Sequence, residues 1–258
     1  MHTVAILAMD GVVAFDLSTP IEVFGRTYLP DGQAAYRVRV CGSTKEVNTD
    51  TFTLRVHWGL DRLVEADTII VPGLASSTLP IPDDVFNALQ YASARGTRIA
   101  SICSGAFILA AAGLLDGLRA TTHWIAAREL ARQYPKVEVD ANVLFVDNGQ
   151  ILTSAGAAAG LDLCLYMIRR DYGSAVAADA ARISVMPLER DGGQAQFIQS
   201  SGSPVMSDLD RQQLSATNSN TSSASVPRPI GEHSEEQRRT KMDIESFSPQ
   251  QLAVDASL

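Results

Sequence analysis

The chain has 258 residues, 46% hydrophobic and 19% charged, a balance that suits a globular protein with a sizeable core and excludes a fibrous or low-complexity one. Its formal net charge of −8 argues against a surface that grips phosphate backbones, which takes clustered Lys and Arg. Three cysteines, Cys41, Cys103 and Cys164, match no zinc, redox or disulfide spacing and point to a reducing compartment.

Residues 4–9 form a continuous apolar run, as in a strand buried on both faces, with no basic segment or cleavage signal ahead of it. Thr19-Pro20-Ile21-Glu22-Val23-Phe24 then opens a short helix with Pro20 at its first position. Residues 36–41 and 52–57 read as strands, and Thr68-Ile69-Ile70-Val71 is a strand that stops at Pro72-Gly73. A helix over 83–95 closes at Gly96, a strand follows over 97–102, and a helix over 104–112 ends at Gly113. Residues 124–133 are helical, and 142–154, broken at Asp147-Asn148-Gly149, read as a hairpin. Helices near 157–170 and 174–183 complete the pattern. Strands alternating with helices predict an α/β fold with a mostly parallel sheet covered on both faces; strand order is not legible. No apolar run reaches the length of a membrane span. Residues 1–198 read as one domain and 199–258 as a low-complexity, disordered tail rich in Ser, Gln and Asn.

The most informative string is Ser101-Ile102-Cys103-Ser104-Gly105. A buried strand delivers a cysteine to the start of a helix, with small residues two positions away on each side. That is the nucleophile-elbow pattern with Cys in place of Ser. The helix N-terminus is expected to lower the thiol pKa. The Ser104 N–H is a candidate oxyanion donor, with a second donor from Gly73 or Leu74. Cys41 and Cys164 read as core. Two acids are candidates to partner the thiol. Glu22 serves either that role or a capping box with Thr19; Asp16 either faces the strand ends or is an ordinary loop residue. His123, in Thr121-Thr122-His123-Trp124, either lies near Cys103 or caps and packs the next helix.

Phe15-Asp16-Leu17-Ser18-Thr19-Pro20-Ile21-Glu22-Val23-Phe24, Val71-Pro72-Gly73, the Cys103 string, Thr121-Thr122-His123-Trp124 and Thr153-Ser154-Ala155-Gly156 together resemble the ThiJ/PfpI superfamily, in the expected order over residues 3–198. The resemblance implies a flavodoxin-like three-layer sandwich, a homodimer, and a pocket carried by Asp16, Glu22, Cys103 and Ser104. Within the superfamily the strings look most like the sensor half of AraC-type transcriptional regulators and like isonitrile hydratase. The protease-like branch has a histidine after the cysteine; here it is Ser104. AraC-type regulators continue into helix-turn-helix units, whereas residues 199–258 show neither a recognition-helix pattern nor a basic stripe. Three readings follow. One is a ligand-sensing domain of regulator lineage whose DNA-binding half is absent or replaced. Another is a stand-alone cysteine-dependent hydratase or amide hydrolase using Cys103. A third is a truncated product with neither activity. Expected partners are a small-molecule ligand or substrate and a second copy, with no cofactor, nucleic acid or membrane, in the cytoplasm.

Overall fold

The computed structural model describes residues 1–76, 79–187, 190, 192–193 and 195–196; the expected disordered tail lies outside the described residues. In chain order the elements are β1 (His2–Leu7), α1 (Ala14–Gly25), β2 (Tyr36–Cys41), β3 (Glu46–Asn48), β4 (Thr53–Arg55), α2 (Leu60–Leu63), β5 (Thr68–Val71), α3 (Asp83–Ala94) and β6 (Arg98–Ile102). They continue with α4 (Gly105–Ala111), β7 (Arg119–Ala120), α5 (Trp124–Gln133), β8 (Glu138–Val139), β9 (Phe145–Asp147), β10 (Ile151–Ser154), α6 (Ala158–Tyr172) and α7 (Ser174–Ile183).

Six strands form the central sheet in the order β2-β1-β5-β6-β10-β9, parallel except for β9, which pairs antiparallel with β10. Counting only the parallel strands, the order is 2-1-3-4-5, the flavodoxin-like doubly wound arrangement. Both faces are covered, so β1, β5 and β10 read as continuous apolar or small runs without polar alternation. Helices α1 and α6 pack on each other, with α7 against α6, and α2, α3 and α4 form a second group. The hairpin read across Asp147-Asn148-Gly149 is β9–β10, with Gly149 at φ +88° in its turn.

Three expectations change. The first helix begins at Ala14, not Thr19, and Pro20 is interior. The buried set Asp16, Leu17, Pro20, Val23 and Phe24 has helical spacing, and docking that stripe carries the helix through Pro20, whose ring has no N–H to offer the Asp16 carbonyl. The capping box does not form: the Thr19 hydroxyl donates to the Phe15 carbonyl, and Glu22 pairs with Arg26 on the exposed side. The strand read over 52–57 is shortened to β4, and it pairs with β3 in a hairpin outside the central sheet.

The amino ends of the strands are tied by a polar cluster. Arg98, opening β6, donates to both carboxylate oxygens of Asp171 near the end of α6, at 2.8 and 2.6 Å, and to the Thr68 hydroxyl at 2.9 Å. The Tyr36 hydroxyl donates to the same carboxylate at 2.8 Å, and His2 Nε2 shares the Thr68 hydroxyl. Burial pushes Asp171 up, but the Arg98 hydrogen bonds and charge, with the Tyr36 hydroxyl, outweigh it and hold the carboxyl below its ordinary value. Its contribution to stability is therefore complete above the ordinary carboxyl pKa and is lost as pH falls through the lowered one. Replacing Asp171 with Ala strands a guanidinium whose side chain is only 13% exposed. We expect Asp171→Ala to destabilise the fold by about 3 kcal/mol in urea denaturation, without changing the pH profile of Cys103 alkylation.

Candidate functional site

Four adjacent strands end at one place. Asp16 follows β1, Gly73 follows β5, Cys103 follows β6, and Gly156 with Ala157 follow β10. Open α/β sheets put their sites at these carboxyl ends, and here the last turns of the four strands converge on the Cys103 side chain.

Cys103 has φ +57°, a left-handed conformation that costs a non-glycine residue about 1 kcal/mol or more. It is held there from two sides. Its N–H donates to the Ser154 carbonyl at 3.0 Å, and its carbonyl accepts the Thr122 hydroxyl at 2.8 Å. Thr122 is buried, and the preceding Thr121 N–H donates to the Thr153 hydroxyl. Two glycines admit the turn. A Cβ on Gly105 would stand 2.2 Å from the Val71 carbonyl oxygen, and one on Gly156 (φ +89°) 2.4 Å from the Cys103 Cβ. Ala157 is itself strained at φ +49°. Of the three non-glycine residues at positive φ among the described residues, Cys103 and Ala157 belong to this site.

Asp16 is buried against the thiol. Its Oδ1 accepts the Ala157 N–H at 3.2 Å, while Oδ2 has no hydrogen-bond partner among the described residues. A Cβ on Gly73 would lie 2.6 Å from that Oδ2 and 3.0 Å from the Cys103 Cβ, so Gly73 is the gap through which the acid approaches. Burial raises the Asp16 pKa, with the Ala157 amide, the thiol and the Gly73 amide pulling it back. Burial, then the Asp16 charge, push the Cys103 thiol up to about 12 despite the Ser104 N–H. The sequence-based expectation of a lowered thiol pKa is thus reversed: the helix N-terminus is outweighed by desolvation and a neighbouring carboxylate. Cys41 and Cys164 are buried in the core, as expected.

Glu22 lies elsewhere. Six residues along α1 rotate a side chain by about 240°, so Glu22 cannot share the face of Asp16. It is exposed and paired with Arg26 at 2.8 Å. The Leu74 N–H is also taken, donating to the Ser104 hydroxyl at 2.8 Å while that hydroxyl donates back to the Leu74 carbonyl. The Gly73 amide faces Asp16. A free second oxyanion donor at Gly73 or Leu74 is therefore not what the geometry offers. His123 caps α5, its Nδ1 accepting the Ile125 N–H, and stacks on Trp124. Burial lowers its pKa, and the Asp16 charge acts in the opposite direction. The role of Ala157 went unread in the sequence; the Gly156-Ala157 pair after a strand was its only visible signal.

Between α3, α4 and the chain after β5 lies a cavity of about 220 Å³, walled by Leu74, Leu79, Phe86, Phe107 and Tyr134 and reaching Ser104. Most of its lining residues are apolar, but the surface they present is nearly as polar as it is apolar, Ser104 and Ser76 among its polar residues.

Two substitutions probe this construction. Gly156→Ala places a Cβ inside the Cys103 side chain at a φ that disfavours it, and we expect a loss of about 3 kcal/mol by denaturant titration. Asp16→Asn removes a buried charge whose raised pKa makes it unfavourable above the ordinary carboxyl range. We expect the variant to gain about 1 kcal/mol at pH 7 and to lose that advantage in acid, where Asp16 takes up its proton.

Comparison with known proteins places this geometry. The HTH-type transcriptional regulator GbdR of Pseudomonas aeruginosa is 25% identical over 179 residues, covering 69% of this chain and 48% of the regulator. Isonitrile hydratase of Pseudomonas putida is 33% identical over 125 residues, covering 48% of this chain and 51% of the enzyme. The chain therefore spans about half the length of each. An AraC family transcriptional regulator structure from Pseudomonas putida superposes with a TM-score of 0.63 at 19% identity, over 71% of this chain and all of that one, which shows a shared fold. The DJ-1/PfpI family pattern itself matches residues 2–170, all six strands of the central sheet and the whole candidate site, and the chain belongs to the DJ-1/PfpI family.

Proposed function

We propose that this domain is a small-molecule-sensing domain of the AraC-type regulator lineage, with its pocket at the turn of Cys103 beside Asp16. One observation carries the reading: among the described residues the buried Asp16 Oδ2 has no well-formed hydrogen bond, with only the Cys103 thiol and the Gly73 amide close by, so it can accept a donor group from a ligand. The Cys103 turn is a nucleophile elbow in backbone form, yet its thiol is poised against ionisation at neutral pH. The regulator relatives support the lineage, and the cavity reaching Ser104 supports a small ligand. Exposed Phe15 and Ile125, each within two residues of a site side chain, supply apolar surface of the kind a homodimer buries. Three free cysteines fit the cytoplasm, and among the described residues no helix is long and apolar enough to cross a membrane.

A second reading is favoured by the hydratase relative and by the acid beside the thiol. There the Cys103 sulfur bonds to the isonitrile carbon as that carbon takes a proton from the thiol–Asp16 pair. Water then adds to the carbon and the thiol leaves with a proton, so that R–NC and H₂O give R–NH–CHO. Among the described residues the Ser104 amide, which faces the thiol, is placed to help this chemistry, whereas the Leu74 amide is already bonded.

The test combines iodoacetamide alkylation across pH with turnover of an aryl isonitrile, in wild type and Cys103→Ala. The sensing reading expects Cys103 alkylation to be slow at pH 7 and to climb through the alkaline range toward the thiol pKa of about 12, with no formamide formed. Formamide production that disappears in Cys103→Ala establishes the enzyme instead and removes the sensing reading.

A further inference from the structure

Three described residues beyond α7, Arg190, Gly192 and Gln196, bond back to the domain. The Arg190 guanidinium bonds to Asp162, buried on α6, with Nε to Oδ1 at 3.0 Å. The Gly192 carbonyl accepts the Leu144 N–H at 2.7 Å and the Phe145 N–H at 3.3 Å, and a Cβ on Gly192 would stand 2.6 Å from the Phe145 ring. Gln196 then uses its whole side-chain amide on the turn before α5. Its Nε2 donates to the Thr121 hydroxyl at 3.1 Å and the Thr122 carbonyl at 3.0 Å, and its Oε1 accepts the Trp124 N–H at 2.9 Å.

That turn is the one that holds Cys103. The Thr122 hydroxyl donates to the Cys103 carbonyl, so Gln196 stands two hydrogen bonds from the strained residue. Gln196, like Arg190 and Gly192, lies beyond residue 170, outside the stretch that the family pattern matches. Arg190 bonds to α6 and Gly192 to the start of the edge strand β9, so three described residues beyond α7 contact the domain.

We infer that Gln196 is a positioning residue that couples the state of the Cys103 site to the contacts that Arg190, Gly192 and Gln196 make beyond α7. The inference rests on the sensing reading for its purpose, since a sensor needs its pocket connected to an output segment. Coupling of this kind is reciprocal: loosening Gln196 alters Cys103, and altering Cys103 loosens the contacts of the segment. A residue that merely caps α5 affects the Trp124 amide and nothing else.

The experiment uses the full chain and two readouts. The first is the rate of Cys103 alkylation by iodoacetamide between about pH 7 and 10 in wild type, Gln196→Ala and Gln196→Glu. Glu keeps the acceptor for Trp124 and lacks both donors to the threonine turn. Both variants are expected to alkylate about threefold faster than wild type or more, with the Trp124 amide still protected in Gln196→Glu. The second is amide exchange by NMR with Cys103 carboxamidomethylated, where Trp124 and Leu144 are expected to exchange about fivefold faster or more. Alkylation rates in Gln196→Ala that match wild type, or exchange at both amides that ignores the modification, overturn the inference. Neither readout requires a natural ligand. Coupling without any Cys103-site ligand removes the sensing reading and leaves the coupling, and ligand binding without coupling does the reverse.

Discussion

Cys103 is a residue with a Cβ held in left-handed backbone, and a turn of that kind persists only where its surroundings leave no alternative. The Ser154 carbonyl holds its N–H and the Thr122 hydroxyl holds its carbonyl. Gly105 and Gly156 are the points at which neighbouring backbone comes too close for any side chain. Around this turn the ends of β1, β5, β6 and β10 are arranged, and Asp16, Ser104 and Ala157 take their positions from it. The strain at Ala157 has the same origin, because its N–H must reach the Asp16 carboxylate directly after Gly156.

The two ends of the sheet solve the problem of buried charge differently. At the amino ends, Asp171 is satisfied by Arg98 and Tyr36, so its burial is compensated and its charged form favoured. At the carboxyl ends, Asp16 keeps one oxygen without a partner among the described residues; its own ionisation is opposed by burial, and its charge in turn opposes ionisation of the thiol beside it. An unsatisfied buried acceptor is destabilising in an empty fold, and its retention is understandable where something else supplies the donor.

Much of this was legible in sequence. The small residues around Cys103 mark a tight strand-to-helix turn, and the same backbone approach that makes Gly105 obligatory is visible as Ser-x-Cys-x-Gly. The choice between Asp16 and Glu22 was not legible. It depends on where α1 begins, and Pro20 suggested a start that tertiary docking of Leu17, Val23 and Phe24 overrides. Once the helix extends back to Ala14, the rotation along it sends Glu22 to solvent. The thiol pKa was misread for a related reason: a helix N-terminus is visible in a sequence, whereas the depth of burial and a carboxylate from a distant segment are not. His123 follows the local reading, capping α5 and stacking on Trp124.

The sequence by itself determined the alternation of strands and helices, the parallel character of the sheet and the special position of Cys103. These follow from local periodicity, turn chemistry and the steric demands of one sharp turn. Strand order, the pairing of Asp16 with the thiol, the occupation of the Leu74 amide by Ser104, and the reach of Gln196 to the Thr121–Thr122 turn were decided by the tertiary structure alone. Each joins residues from 30 to 87 positions apart, counting from Leu74 to Ser104 and from Asp16 to Cys103. Such contacts are fixed by which elements pack together, and no local pattern encodes that packing.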